Sequence, residues 1–173
     1  MTEMGGQRFT FEPHHCFACG ELNEHGLHLV LHTDVTGCWT EVTLDAAFQG
    51  WEDVAHGGIL CTILDEVMAW AVIGQDTWGV TARMTVDFKR PASVGRPLRA
   101  HGIVTEAGRR LMRAQGRIVD VGTGEVLATS TGTYVAAPPE RLAELKARYR
   151  LRPADDRPRP ADDRPDAPAR VDA

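Results

Sequence analysis

The feature that most constrains this chain is the run 57–73, where Ile59, Leu60, Ile63, Leu64, Val67, Met68, Ala71 and Val72 fall at helical spacing. They cover more than half of a helix circumference, and a helix apolar nearly all round is buried rather than laid on a surface. Gly74 stands where a C-cap glycine closes such a helix. Before it, Leu27, Leu29 and Leu31 alternate with His28, Val30 and His32, and a second strand pattern covers 37–45. After it, Val80, Ala82, Met84, Val86 and Phe88 alternate with Thr81, Arg83, Thr85, Asp87 and Lys89, the cleanest period-two run in the chain. Further strands are expected at 98–106, 111–121 and 125–136, with turns at Gly108 and at Gly122-Thr123-Gly124 that make an antiparallel meander. Two strands, one buried helix and four strands form an α+β arrangement, a sheet with one apolar face wrapped on one helix. The helix is too apolar to be covered on one side only, so a second subunit or a strongly curved sheet must cover the rest.

Composition bounds the remainder. The 173 residues suit one domain plus a tail. A net charge of -5 gives no electrostatic reason for a nucleic-acid or anionic-membrane partner. No window approaches an uninterrupted apolar span, and the start lacks the basic-then-apolar order of a secretory signal. Four cysteines in this length do not make a disulfide scaffold. The expectation is a soluble, reduced, cytoplasmic protein. Its organisation reads as an N-terminal segment with a Cys-x-x-Cys pair at 1–25, a main domain at 26–137, a short surface helix at 138–149 and a tail at 150–173. The tail repeats Arg-Pro-Ala-Asp-Asp-Arg-Pro at 152–158 and 159–165, and holds five of the ten prolines. With almost nothing to bury, it reads as disordered.

The chemistry concentrates around Phe48-Gln49-Gly50-Trp51 and His56-Gly57-Gly58, where the long helix begins. Glycines are poor helix formers, but without a Cβ they let a ligand approach backbone N–H groups that are unpaired at a helix N-terminus and sit at its positive end. That suits a developing oxyanion, and it equally suits a tight loop-to-helix turn. Asp65 and Glu66 lie mid-way along an otherwise apolar helix, where an unpaired carboxylate is costly. Each either pairs with an arginine such as Arg83 or Arg113, or is a reactive base. Asp65 follows Gly57 by eight residues, about 12 Å along a helix. Proton transfer and oxyanion contact both need separations near 3 Å. If both features serve one site, its halves come from two subunits.

In element order and in His56-Gly57-Gly58-(six residues)-Asp65 the chain resembles the hotdog-fold thioesterases of the phenylacetate-degradation and 4-hydroxybenzoyl-CoA type, over roughly residues 14 to 137. Cys16-Phe17-Ala18-Cys19-Gly20 with Asn23 and Gly26-Leu27, and Phe48-Gln49-Gly50, resemble one subgroup. The resemblance implies an acyl-CoA thioesterase working as a homodimer or dimer of dimers, with no metal or redox cofactor. It implies that the Gly57 N–H contacts the thioester oxygen, and that Asp65 of the other subunit is nucleophile or base. It further implies that His56 orders the loop and Thr81 holds the attacking water, with Gly58 beside the substrate and Lys89 and Arg90 on the coenzyme A phosphates. Many relatives have asparagine where Gly50 stands, which leaves Gln49 to take over that role. Glu66 is the competing base, and position favours Asp65. A non-catalytic acyl-CoA-binding protein is the alternative; a hydratase on the same scaffold lacks a paired Asp/His motif on the helix.

Cys16-x-x-Cys19, beside His14 and His15, has the spacing of half a zinc site. No second pair follows, since Cys38 and Cys61 stand alone, so the sequence assigns no metal; a zinc-binding interaction protein using the Cys16/Cys19 region is a further alternative. A redox Cys-x-x-Cys normally opens a helix after a strand, whereas this one precedes a strand.

Overall fold

The computed structural model describes residues 2–4, 7–10, 12–34, 36–149 and 152–153. Its strands are β1 (Thr2–Met4), β2 (Gln7–Thr10), β3 (Leu31–Asp34), β4 (Gly37–Thr43), β5 (Gly79–Phe88), β6 (Pro97–Ala107), β7 (Leu111–Asp120), β8 (Val126–Ala136) and β9 (Arg152–Pro153). The helices are α1 (Gly57–Ile73) and α2 (Pro139–Tyr149), with a 3-10 turn at Ala46–Phe48. The strands form one sheet in the order β5-β8-β7-β6-β4-β3-β1-β2-β9. Every neighbouring pair is antiparallel except β1 with β3. The fold is α+β, the hotdog arrangement of a curved sheet around one long helix, and β6, β7 and β8 form the expected meander. The tail segment 154–173 lies outside the described residues. Arg152 and Pro153 pair with Thr10 and Phe9.

The helix sits on the sheet almost backbone to backbone. Cys38, Gly102, Gly116 and Ser130 are successive partners across β4, β6, β7 and β8, a row of small side chains under α1. A Cβ added at Gly102 would stand 2.5 Å from the Val67 carbonyl oxygen and 2.7 Å from the Met68 nitrogen. At Gly116 it would meet only the ends of Leu64 and Met68, at 3.1 Å and beyond. Around this seat Ile63, Leu64 and Val67 join Leu98, Ala100, Ile118 and Ala128 in one fully buried cluster. Each such aliphatic burial contributes on the order of 1.5–3 kcal/mol.

The first strand corrects the sequence reading. Leu27, Leu29 and Leu31 are buried as their alternation required, but the ladder spans only Leu31–Asp34. Over 27–30 the chain instead bonds to the cysteine loop, Leu27 N–H to the Phe17 carbonyl and Leu29 N–H to that of Ala18, both at 2.8 Å. His28 has φ 49, outside the extended region. This segment answers the question of cover: Ala18, Leu27 and Leu29 belong to the same core cluster as Trp70 of α1. The curved sheet and the chain's own N-terminal segment therefore enclose the helix. Gly74 does cap α1, but at φ −59 it is right-handed. Glycine is needed there because a Cβ would stand 2.8 Å from the Thr33 methyl.

At the opposite end of the sheet, β5 pairs with β8 on one side and leaves its other edge open. Met84 and Val86 are half-buried, while Val80 and Phe88 are 70% and 54% exposed. A ten-residue open edge with apolar side chains is an unusual thing for a lone subunit to display.

Candidate active site

The site is built at two points along α1. At its start, His56 is the N-cap: its Nδ1 accepts the Gly58 N–H at 2.9 Å, and its carbonyl accepts the Ile59 N–H at 2.9 Å. Its own N–H donates to the Phe48 carbonyl at 2.9 Å, which ties the loop to the 3-10 turn. Gly50 packs closely on the cap, since a Cβ there would meet His56 Cδ2 at 3.2 Å. The Gly57 N–H donates to no described residue, and a Cβ at Gly57 would stand 3.2 Å from the Phe88 ring. That N–H is a free donor at the positive end of a long helix.

Two turns on, Asp65 and Glu66 point apart, as successive helical residues must. Asp65 faces the sheet: Thr81 of β5 donates to its Oδ1 at 2.7 Å and Tyr134 of β8 to the same oxygen at 3.0 Å. Its Oδ2 accepts no hydrogen bond from a described residue. Burial, and then the Asp65 charge, push the Tyr134 phenol well above its usual range, so it remains a donor. Glu66 faces the N-terminal loop, where Trp70 Nε1 donates to its Oε1 at 2.9 Å. Burial pushes the Glu66 carboxyl up to about 7; the neighbouring Cys16 adds to this, and hydrogen bonds from Cys19 and Trp70 oppose it.

Neither carboxylate takes up the arginine pairing considered from sequence. Arg113 pairs with Glu106 at 3.2 Å, and no described lysine or arginine bridges to Asp65 or Glu66. The cysteines form a donor–acceptor pair. A hydrogen bond from Cys19 holds Cys16 well below the usual thiol range, and the same bond, with burial and Glu66, pushes Cys19 up.

His56, Gly57 and Gly58 thus cluster at the start of α1, and Asp65 with Thr81 at its middle. Gln49 joins neither: its Oε1 accepts the Asp53 N–H at 3.3 Å, which closes its own loop. Lys89 and Arg90 follow Phe88 at the Gly57 end, exposed, with Asp87 at 3.8 Å and Glu125 at 3.3 Å as partners. Sequence reasoning did not find Tyr134 or the contact of Phe88 with Gly57. The only signal for Tyr134 was an inward tyrosine on β8, whose buried hydroxyl needs a partner.

Fold and site define a hotdog protein with an open helix N-terminus and a hydroxyl-held helix carboxylate. Residues 52–127 match the family model described as the thioesterase superfamily. A solved thioesterase superfamily protein is 26% identical with a TM-score of 0.66, over 70% of this chain and 63% of its own, so this chain spans less than two thirds of that relative. The E. coli PaaI protein from the phenylacetic acid degradation operon shares the fold at 24% identity and TM-score 0.61, covering 65% and 81% of the two chains. A hypothetical thioesterase from Streptococcus pneumoniae, solved with coenzyme A, does so at 20% identity and TM-score 0.57, covering 59% and 79%. Comparison with curated protein sequences gives no match. No helix among the described residues is long and apolar enough to cross a membrane.

Proposed function

We propose that the protein is an acyl-CoA thioesterase that hydrolyses a thioester to a free acid and coenzyme A. The observation that carries this reading is Asp65. Its carboxylate is set in an apolar helix without a cation, held through one oxygen by two hydroxyls, with the other oxygen unclaimed by described residues. That oxygen is left available to a water, which is what a base that must take a proton from water requires. The thioester carbonyl oxygen accepts the Gly57 N–H, water adds to the carbonyl carbon as Asp65 takes its proton, and the C–S bond breaks. Coenzyme A leaves as a thiolate and recovers the proton.

The exposed edge of β5 supports a dimer in which two copies share each site. Antiparallel pairing of two such strands about their midpoint sets residue 79 of one opposite 88 of the other. Phe88 lies against Gly57, and Thr81 against Asp65. The oxyanion donor of one copy thereby comes alongside the base of its neighbour, which the 12 Å rise within one helix forbids. Apparent mass in solution tests this: two copies are expected, and a monomer that still hydrolyses would overturn the shared site.

Free-thiol release from short, medium, long and aromatic acyl-CoAs tests the function. Turnover of at least one is expected; binding without turnover by the folded chain means a non-catalytic acyl-CoA-binding protein. In the same assay Lys89→Ala with Arg90→Ala is expected to raise KM about tenfold with kcat held, the size of one lost charge-assisted phosphate contact. An equal fall in kcat would contradict a role confined to binding. Gln49→Ala is expected to change kcat/KM by less than about threefold, the scale of a surface substitution. A loss of a hundredfold would return Gln49 to the site.

A further inference from the structure

Cys16, Cys19 and Glu66 come from segments some fifty residues apart, and one ligand atom from each lies within 4.8 Å of the other two. From the geometry we propose that these three residues bind a single zinc ion, with the fourth position open to solvent beside the exposed Cys16.

The loop has the build of a metal knuckle. The Gly20 N–H bonds to the Cys16 carbonyl at 2.9 Å, and a Cβ at Gly20 would stand 2.6 Å from that same oxygen, so only glycine closes the turn. Asn23 braces the loop, its Nδ2 donating to the His15 carbonyl at 3.3 Å and its Oδ1 accepting the His25 N–H at 3.1 Å. The bonds from Leu27 and Leu29 to Phe17 and Ala18 then stitch it to the core. The loop is therefore hydrogen-bonded to the core independently of any ion.

Glu66 is presented with similar care. Trp70 fixes one carboxylate oxygen at 2.9 Å, as an outer hydrogen bond commonly orients a ligating carboxylate. No described cation neutralises the group. Tetrahedral zinc with sulfur at about 2.3 Å and carboxylate oxygen near 2.0–2.2 Å separates its ligand atoms by roughly 3.5–3.8 Å. Closure from 4.8 Å asks at most about 1 Å of side-chain movement and no change of backbone. Two thiolates and one carboxylate suit zinc, while magnesium and calcium prefer all-oxygen shells. Binding takes both cysteines as thiolates and Glu66 as carboxylate, releases to solvent whatever protons they still carry, and leaves the centre with a net charge of about −1.

The test uses the full chain under reductant, stripped with a chelator and titrated with cobalt(II), then zinc(II). One equivalent of cobalt is expected to give thiolate-to-metal charge-transfer absorption in the near ultraviolet, which zinc removes. Cys16→Ser or Cys19→Ser is expected to abolish that band and to weaken zinc by more than the roughly 10–100-fold that outer-shell changes cost. Glu66→Gln is expected to keep the thiolate band but weaken binding at least tenfold. Cys61→Ser, away from the loop, is the control and is expected to bind one equivalent. The proposal is overturned if the wild-type chain shows no charge-transfer band at stoichiometric cobalt, a result that needs no variant to fold. It is equally overturned if binding survives Cys16→Ser. Neither readout depends on hydrolysis.

Discussion

Asp65→Asn is expected to lower kcat for the best acyl-CoA by about 10³-fold, within the range that removal of a positioned general base produces. Asparagine keeps the shape of the side chain and can still accept from Thr81 and Tyr134, so the helix and its seat should persist. What it loses is the ability to take a proton from water on the free oxygen. KM is expected to change little, because the group acts on the transition state rather than on bound substrate. Thr81→Val, which removes one of the two donors orienting the carboxylate, is expected to cost about tenfold to a hundredfold for the same reason. Glu66→Gln should cost less than about tenfold, since that carboxylate faces Trp70 and the cysteines on the other side of the helix. Steady-state rates with circular dichroism on each variant decide the matter. If Asp65→Asn keeps its turnover while Glu66→Gln loses it, the base is Glu66 and the orientation argument fails.

The second large effect concerns stability. Gly102→Ala is expected to lower the unfolding free energy by about 3 kcal/mol, which for a domain of this size is roughly 10 °C in Tm. The added carbon meets the backbone of Val67 and Met68, and backbone in mid-helix cannot step aside. Gly116→Ala, its partner on β7, meets only the ends of Leu64 and Met68 and should cost about 1 kcal/mol. Thermal unfolding of the two variants side by side checks this. Equal, small shifts would mean that the helix is not seated as tightly as the Gly102 contact requires.

Much of the frame was legible because its signals are local. The apolar pattern of 57–73 and the glycine after it mark out α1 at Gly57–Ile73, and alternation finds β5 through β8. Alternation failed at 27–32 because burial of every second leucine does not require a ladder. An irregular segment with His28 left-handed satisfies it equally well. It also could not say that Val80 and Phe88 would stand exposed, since that depends on β5 being the last strand of the sheet. For the site, the spacing from Gly57 to Asp65 was readable but the side of the helix each carboxylate faces was not. The partners that decide it, Thr81 and Tyr134 for one and the cysteine loop for the other, lie far away in the chain. Cys16-x-x-Cys19 reads as half a site for the same reason: Glu66, the third residue of the cluster, lies some fifty residues away in the chain.

The near-contact of α1 with the sheet carries one more consequence. A helix held off a sheet by large side chains would turn its widest girth toward solvent or a partner, and any charge there would be either fully wet or fully buried. Sunk onto Gly102 and Gly116, α1 instead lies close enough to the sheet for strand and loop residues to reach both sides of it. Asp65 occupies one flank and Glu66 the other, each half-buried and each reached from a different side of the molecule. Two missing side chains in the sheet thus set one helix between two polar environments, and the charge of Asp65 on one side is still felt by Glu66 on the other.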